Sequence, residues 1–226
     1  MRGPICQYKR YIWQLPVRIT HWVNVVAIVV LAVTGLYIGS PKTLALDPSG
    51  YVMGWVRFVH FSTGYAFAVS VASRIYWSFV GNKYASWKAY FPAFTAEGRR
   101  HMKEMFRYYF FLTREVPETE GHNPLAATAY AGIHLLYLVM IGTGFAIYSE
   151  FAPNSIMHKA LGWMFAIASS QQIRLIHHGV MWLILAFVCN HVYSAWLMDA
   201  KEHGGEVSSI FSGYKFMLDK EKQAPP

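Results

Sequence analysis

The amino-acid sequence predicts an all-α integral membrane protein: a four-transmembrane-helix bundle, one domain over residues 1–226, with both termini cytoplasmic. Three observations carry that prediction. Only 14% of the residues are charged, against roughly a quarter in a soluble domain, and the mean hydropathy is +0.24. Four apolar stretches approach the ~20 residues a helix needs to cross about 30 Å of hydrocarbon. Lysines and arginines gather in alternate connections, as expected of a chain that threads a bilayer.

The first stretch runs over about residues 20–38. It is long enough to span and lacks a small-residue cleavage site behind a short apolar core, so it reads as a helix rather than a removable signal. The second covers about 56–80, the third about 125–148 and the fourth about 175–197. Helix is the expected state for each, because hydrocarbon offers no water to satisfy open backbone groups. Between them lie a Pro/Gly/Ser turn (39–50), a basic segment (81–121) and a mixed loop (150–174), and the tail after Asp199 is charged. No repeat is evident along the chain.

Charge placement gives the orientation. Arg2, Lys9, Arg10 and Arg18 precede the first stretch, and seven cations from Lys83 to Arg114 fill the second connection. Lys201, Lys215, Lys220 and Lys222 mark the tail, while the first and third connections are poor in both residues. The positive-inside rule assigns both termini and the basic connection to the cytoplasm. The net charge of +8 therefore reports topology, and no nucleic-acid partner is expected. Trp13, Trp22, Tyr37, Trp55 and Trp196 suit interfacial belts. Cys6 and Cys189 form no C-x-x-C-H site, which excludes covalent haem attachment of the c type.

Four histidines fall within these stretches. Arg18-x-x-His21, Arg57-x-x-His60 and Arg174-x-x-His177 share one pattern, and His191 follows His177 by fourteen residues. A histidine is costly in an apolar helix unless something binds it, and an arginine one turn away suits an anionic ligand. The combination points to haem. With alternating helix direction, His60 and His177 form an outer pair, and His21 and His191 an inner pair. Fourteen residues fall roughly 40° short of four turns and rise about 21 Å, so one helix offers two imidazoles on one face. His178 would lie roughly 140° off that face, which selects His177.

Paired imidazoles fill both axial positions of iron and suit electron transfer. Two haem b groups are expected, with iron held by His21, His60, His177 and His191. Arg18, Arg57 and Arg174 are candidate partners for the propionates. Gly35, Gly64, Gly142, Gly144 and Gly179 would let a porphyrin approach the backbone. His134, inside the third stretch, has a structural or a quinone-pocket role. His101, His122, His158, His178 and His203 are expected to be solvated. His122 and Asn123 are candidates for a quinone contact near the inner pair, although Asn123-Pro124 equally suits a helix cap followed by the first helical position.

Several segments resemble the b-type cytochrome subunit of membrane-bound nickel–iron uptake hydrogenases, in the cytochrome b561-like di-haem group. They are LPVRITHW (15–22), MGWVRFVHF (53–61), RIYWSFVGN (74–82), GHNPLA (121–126), TGFAIYSE (143–150), HHGVMW (177–182), NHVYSA (190–195) and SGYK (212–215). The resemblance implies a cytochrome of the bacterial inner membrane that anchors a periplasmic hydrogenase. It would pass electrons from the iron–sulfur small subunit, itself bound to the large subunit, to membrane quinone, with no hydrogen chemistry of its own. The chain departs from the family pattern at Gln14-Leu15, where an acidic residue and alanine are usual, and at Ile176, where tryptophan is common. Competing expectations are the cytochrome of another redox complex, such as a formate dehydrogenase gamma subunit or a free-standing b561, and a membrane anchor without redox function.

Overall fold

A strand, β1 (Gln7–Tyr11), leads into the first long helix, α1 (Leu15–Gly39), in the computed structural model, which describes residues 7–40, 51–114, 124–202 and 205–218. There follow α2 (Val52–Val80), α3 (Trp87–Tyr90), a 3-10 turn (Pro92–Phe94) and α4 (Ala96–Tyr109). Then come α5 (Pro124–Ser149), α6 (Ile156–Leu161), α7 (Met164–Ile167), α8 (Ser170–Glu202), α9 (Glu206–Ser212) and β2 (Tyr214–Leu218).

Each expected span falls inside one long helix, and each helix overruns its apolar stretch. Hydropathy marks only the hydrocarbon-facing part, whereas backbone hydrogen bonding continues until something stops it. Pro124 opens α5 at the first helical position, where its missing N–H costs nothing. Three helices, α1, α5 and α8, are long and apolar enough to cross a membrane. α2 has 29 residues, but Arg57, His60, Ser70, Ser73 and Arg74 dilute its apolarity. In the three apolar helices only 17% of the most hydrophobic window is buried inside the protein. Val26, Val29 and Val33 on α1 are exposed, an arrangement that lipid tolerates and water does not.

The connections carry more structure than expected. Ser86, Thr95 and Ser155 cap α3, α4 and α6 by accepting hydrogen bonds from Lys88 N, Gly98 N and His158 N, satisfying donors that a helix start leaves open. α4 is amphipathic, with Met105 buried and Arg99, Arg100, Lys103 and Arg107 exposed. A search for long apolar runs cannot detect a helix of this kind.

The chain divides into two compact units. One comprises Met1–Ile19, Ile75–Gly132 and Val188–Pro226. Within it β1 pairs antiparallel with β2, Tyr11 opposite Tyr214 and Lys9 opposite Phe216. Ile12, Trp13, Val17 and Ala85 form its core, with Trp77, Tyr84 and Ile210 packed against them. Trp13 is thus a core residue rather than an interfacial anchor, and its indole donates to Ser209 Oγ at 3.0 Å.

Gln14 Oε1 accepts from Trp77 Nε1 at 3.0 Å and from Asn82 N at 2.9 Å. Asn82 in turn donates through Nδ2 to the Ile12 carbonyl at 3.0 Å and accepts from Ala85 N at 2.9 Å. Lys215, read from sequence as a topological cation, is buried and ion-paired with Glu206. Asp199 accepts from Glu206 N at 2.6 Å, so it anchors the start of α9.

The other unit comprises Thr20–Arg74 and Ile133–Phe187. Small side chains (Ala27, Ala32, Ala146) are buried along its helices, as close helix packing in a membrane requires. Phe67 meets Tyr137 edge-to-face with centroids 5.1 Å apart.

Gly213 fixes the turn between α9 and β2. Its φ is +88° and its carbonyl accepts from Ile12 N at 2.9 Å and Trp13 N at 3.1 Å. A Cβ there would lie 2.8 Å from the Trp13 oxygen. Gly213→Ala is expected to cost roughly 1–3 kcal/mol through strain, read as a lowered thermal midpoint in detergent. Gly54→Ala, where a Cβ meets nothing within 4 Å, should leave that midpoint unchanged or raised.

Candidate functional site

α1, α2, α5 and α8 line an apolar cleft within the second unit, part of it open to the exterior. His60 and His177 both line it, together with Arg57 and Arg174. Its walls are Ile28, Leu31, Phe61, Phe145, Met181 and Leu185, among others. Two imidazoles and two guanidiniums set in hydrocarbon walls match what a haem presents: an iron, a flat apolar ring and two carboxylates.

The imidazoles are held by the same device twice. On α1, Thr34 Oγ1 donates to the Val30 carbonyl at 2.6 Å and lies 2.8 Å from His60 Nδ1. On α5, Thr143 Oγ1 donates to the Val139 carbonyl at 2.7 Å and lies 2.9 Å from His177 Nδ1. A hydroxyl has one proton, and the carbonyl takes it. The remaining contact therefore requires Nδ1–H to donate to Oγ1. This assignment puts the proton on Nδ1 and would leave the Nε2 lone pair for a metal.

A glycine follows each threonine. A Cβ on Gly35 would lie 3.3 Å from His60 Cε1, and one on Gly144 3.0 Å from His177 Cε1. These two glycines, which also line the cleft, make room for the two imidazole rings. Gly64 also lines the cleft, with nothing within 4 Å of its Cβ position. Gly142 and Gly179 do not line the cleft.

The cations divide. Arg174 pairs with Glu150 at 2.8 Å and reaches Ser170 Oγ at 3.3 Å. Arg57 is exposed and has no ion pair or hydrogen bond among the described residues. Arg18 lies outside the cleft, where its guanidinium donates to the Phe211 carbonyl.

Of the inner pair, His21 falls in the second unit and His191 in the first. His191 Nδ1 lies 3.2 Å from Tyr130 Oη. His178, expected in solvent, is half-buried on α8; its Nδ1 donates to the Arg174 carbonyl at 2.9 Å, and a Cβ on Gly39 would lie 2.7 Å from its Nε2. His158 is also half-buried, 3.3 Å from Ser149 Oγ and stacked on Phe165. His134 lies against Tyr137 with ring centroids 5.8 Å apart. His122, Asn123 and His203 lie outside the described residues.

Thr34, Thr143 and Tyr130 were missed in the sequence. A Thr-Gly pair marks both threonines, but it also stands at Thr63-Gly64 on α2, so it does not single them out, and it does not mark Tyr130. Among the described residues no group of three or more His, Cys, Asp or Glu gathers to hold a bare metal ion. Haem iron asks only for two axial imidazoles.

A family model described as prokaryotic cytochrome b561 matches residues 12–213. The chain belongs to that family. A relative from Bradyrhizobium diazoefficiens is 42% identical over 92% of this chain and 87% of its own length. One from Cupriavidus necator is 40% identical over 92% of this chain and 88% of its own. Both are named "Probable Ni/Fe-hydrogenase B-type cytochrome subunit". An Escherichia coli K12 relative, 37% identical over 92% of this chain and 91% of its own, is named as the corresponding subunit of Ni/Fe-hydrogenase 1. Membership of a b-type cytochrome family implies haem b, and the cleft between His60 and His177 fits it.

Filling the cleft without touching a ligand tests that fit. Gly64→Leu should abolish or strongly reduce the b-type absorbance assigned to this cleft, measured as haem per protein in purified samples. An unchanged haem content would sink the assignment.

Proposed function

We propose that this chain is a di-haem b-type cytochrome that spans the bacterial cytoplasmic membrane with four helices, α1, α2, α5 and α8. It carries electrons from a Ni/Fe hydrogenase on the periplasmic face to membrane quinone. The observation that carries the reading is the pair His60 and His177, both lining one apolar cleft, each with Nδ1 on a threonine hydroxyl and each beside an arginine. The relatives' names supply the partner class, and through it the hydrogenase small subunit as electron donor.

α2 counts as the fourth span on length and surface. At 29 residues it extends about 43 Å, and Phe58, Val69 and Phe79 along it are exposed. Arg57 near its start and Arg74 near its end can reach the interfaces. Four spans return both termini to one side, and the cations of α4 and the tail assign that side to the cytoplasm.

His60 and His177 are the proposed ligands of the outer haem, and His21 and His191 of the inner. His177 and His191 share the unbroken helix α8. Haem b, when bound, supplies reversible one-electron chemistry. The residues of the chain orient the two imidazoles, exclude water with apolar walls, and hold compensating charge at the cleft. If two imidazoles held each iron, no coordination site would remain for substrate, and the haems would exchange electrons with little rearrangement.

Single-ligand variants test the reading. His60→Ala and His177→Ala should each lower the haem-to-protein ratio from two toward one by pyridine haemochrome, and so should His21→Ala and His191→Ala. A ratio that stays at two in any of them rejects that ligand. Absence of b-type bands in reduced-minus-oxidised spectra, with protoporphyrin supplied during expression, would leave only a non-redox anchor. A tagged chain should copurify with a hydrogenase small subunit; copurification with a different dehydrogenase would redirect the proposal.

A further inference from the structure

We propose that Thr34 and Thr143 are a matched pair of positioning residues that fix the tautomer of His60 and His177 and lower the reduction potential of the haem those imidazoles bind. The inference rests on the ligand assignment above. A threonine that bonds the carbonyl four residues back is ordinary in a helix, so Thr34 with Val30 and Thr143 with Val139 say little by themselves. What decides is the second contact on each oxygen, 2.8 Å to His60 Nδ1 and 2.9 Å to His177 Nδ1.

Two different helices repeat the same chain of bonds, Nδ1–H to Oγ1–H to backbone carbonyl. Both follow the threonine with a glycine against which the ring lies. Bonds linked in this way polarise one another. The hydroxyl oxygen, already donating, becomes a better acceptor and draws on the Nδ1 proton. Electron density shifts toward Nε2, the ligand becomes more basic, and the ferric state gains. Because the acceptor is neutral, the effect is milder than that of a carboxylate at the same nitrogen.

The test uses the full chain in membranes or in its purified complex. Thr34→Val and Thr143→Val keep the side-chain shape and remove the hydroxyl. Optical redox titration should show one of the two midpoints moving upward in either variant, the same midpoint in both, with the other midpoint unmoved. Haem retention on dilution should fall by roughly tenfold, the lower end for a lost outer partner. The serine variants Thr34→Ser and Thr143→Ser should restore both readings.

Wild-type midpoints in the valine variants, alongside loss of one haem in His177→Ala, would overturn the inference and leave the ligand assignment standing. Equal haem loss in the valine and serine variants would assign the threonines to packing alone and also overturn it. Movement of different midpoints by the two valines would mean the two imidazoles do not share a haem. Two haems retained in His177→Ala would reject the ligand assignment itself.

Discussion

An imidazole has two ring nitrogens, and an apolar helix bundle tolerates neither of them unsatisfied. An unmade hydrogen bond in hydrocarbon costs several kcal/mol, so a histidine on a lipid-crossing helix needs a partner for each. At His60 and His177 one nitrogen is committed to a threonine whose own proton is already spent on a helix carbonyl. That commitment leaves the opposite nitrogen with a lone pair and nothing to accept. The glycine after each threonine and the apolar walls serve this arrangement. The missing Cβ lets the ring reach the hydroxyl, and the walls shield the other nitrogen from water.

The other unit obeys a different constraint. It contains Trp77, Asn82 and Gly213, from the segments at residues 74–82 and 212–215, and Gln14, just before the segment at 15–22, and their roles there are in the framework. Asn82 uses its amide in both directions, to the Ile12 carbonyl and from Ala85 N, so the residues after α2 are tied to the segment before α1. Gln14 holds the same frame from the other side: Trp77 Nε1 and Asn82 N both donate to its single amide oxygen.

This division explains what was legible in the sequence. Helix positions were, because twenty apolar residues admit one structure in lipid. His60 and His177 were as well, because a histidine is conspicuous in an apolar run. Thr34 and Thr143 were not, since a threonine in a membrane helix is common and its oxygen has a default partner on its own backbone. Only the position of a neighbouring helix turns that oxygen into an acceptor. Trp13 and Lys215 were misread for a related reason. Tryptophan near a span end and lysine in a tail have strong average meanings, and burial against α9 or pairing with Glu206 depends on contacts remote in sequence. The β1–β2 pair joins the two ends of the chain, a separation no local pattern reveals.

The Arg-x-x-His repeat suggests that Arg57 and Arg174 do equal work, and charge accounting argues against it. Arg174 is already answered by Glu150 at 2.8 Å and steadied by Ser170. Drawing it toward a second carboxylate would leave Glu150 without its partner at the end of α5, a cost that grows as the site is desolvated. Arg57 has no such commitment among the described residues and lines the same cleft. The cleft's arginines and Glu150 together carry one uncompensated positive charge, and it resides on Arg57. A dianionic ligand in this cleft would meet one guanidinium with no ion pair among the described residues, that of Arg57. Two helices can thus share a histidine-holding device while their arginines differ in what already holds them.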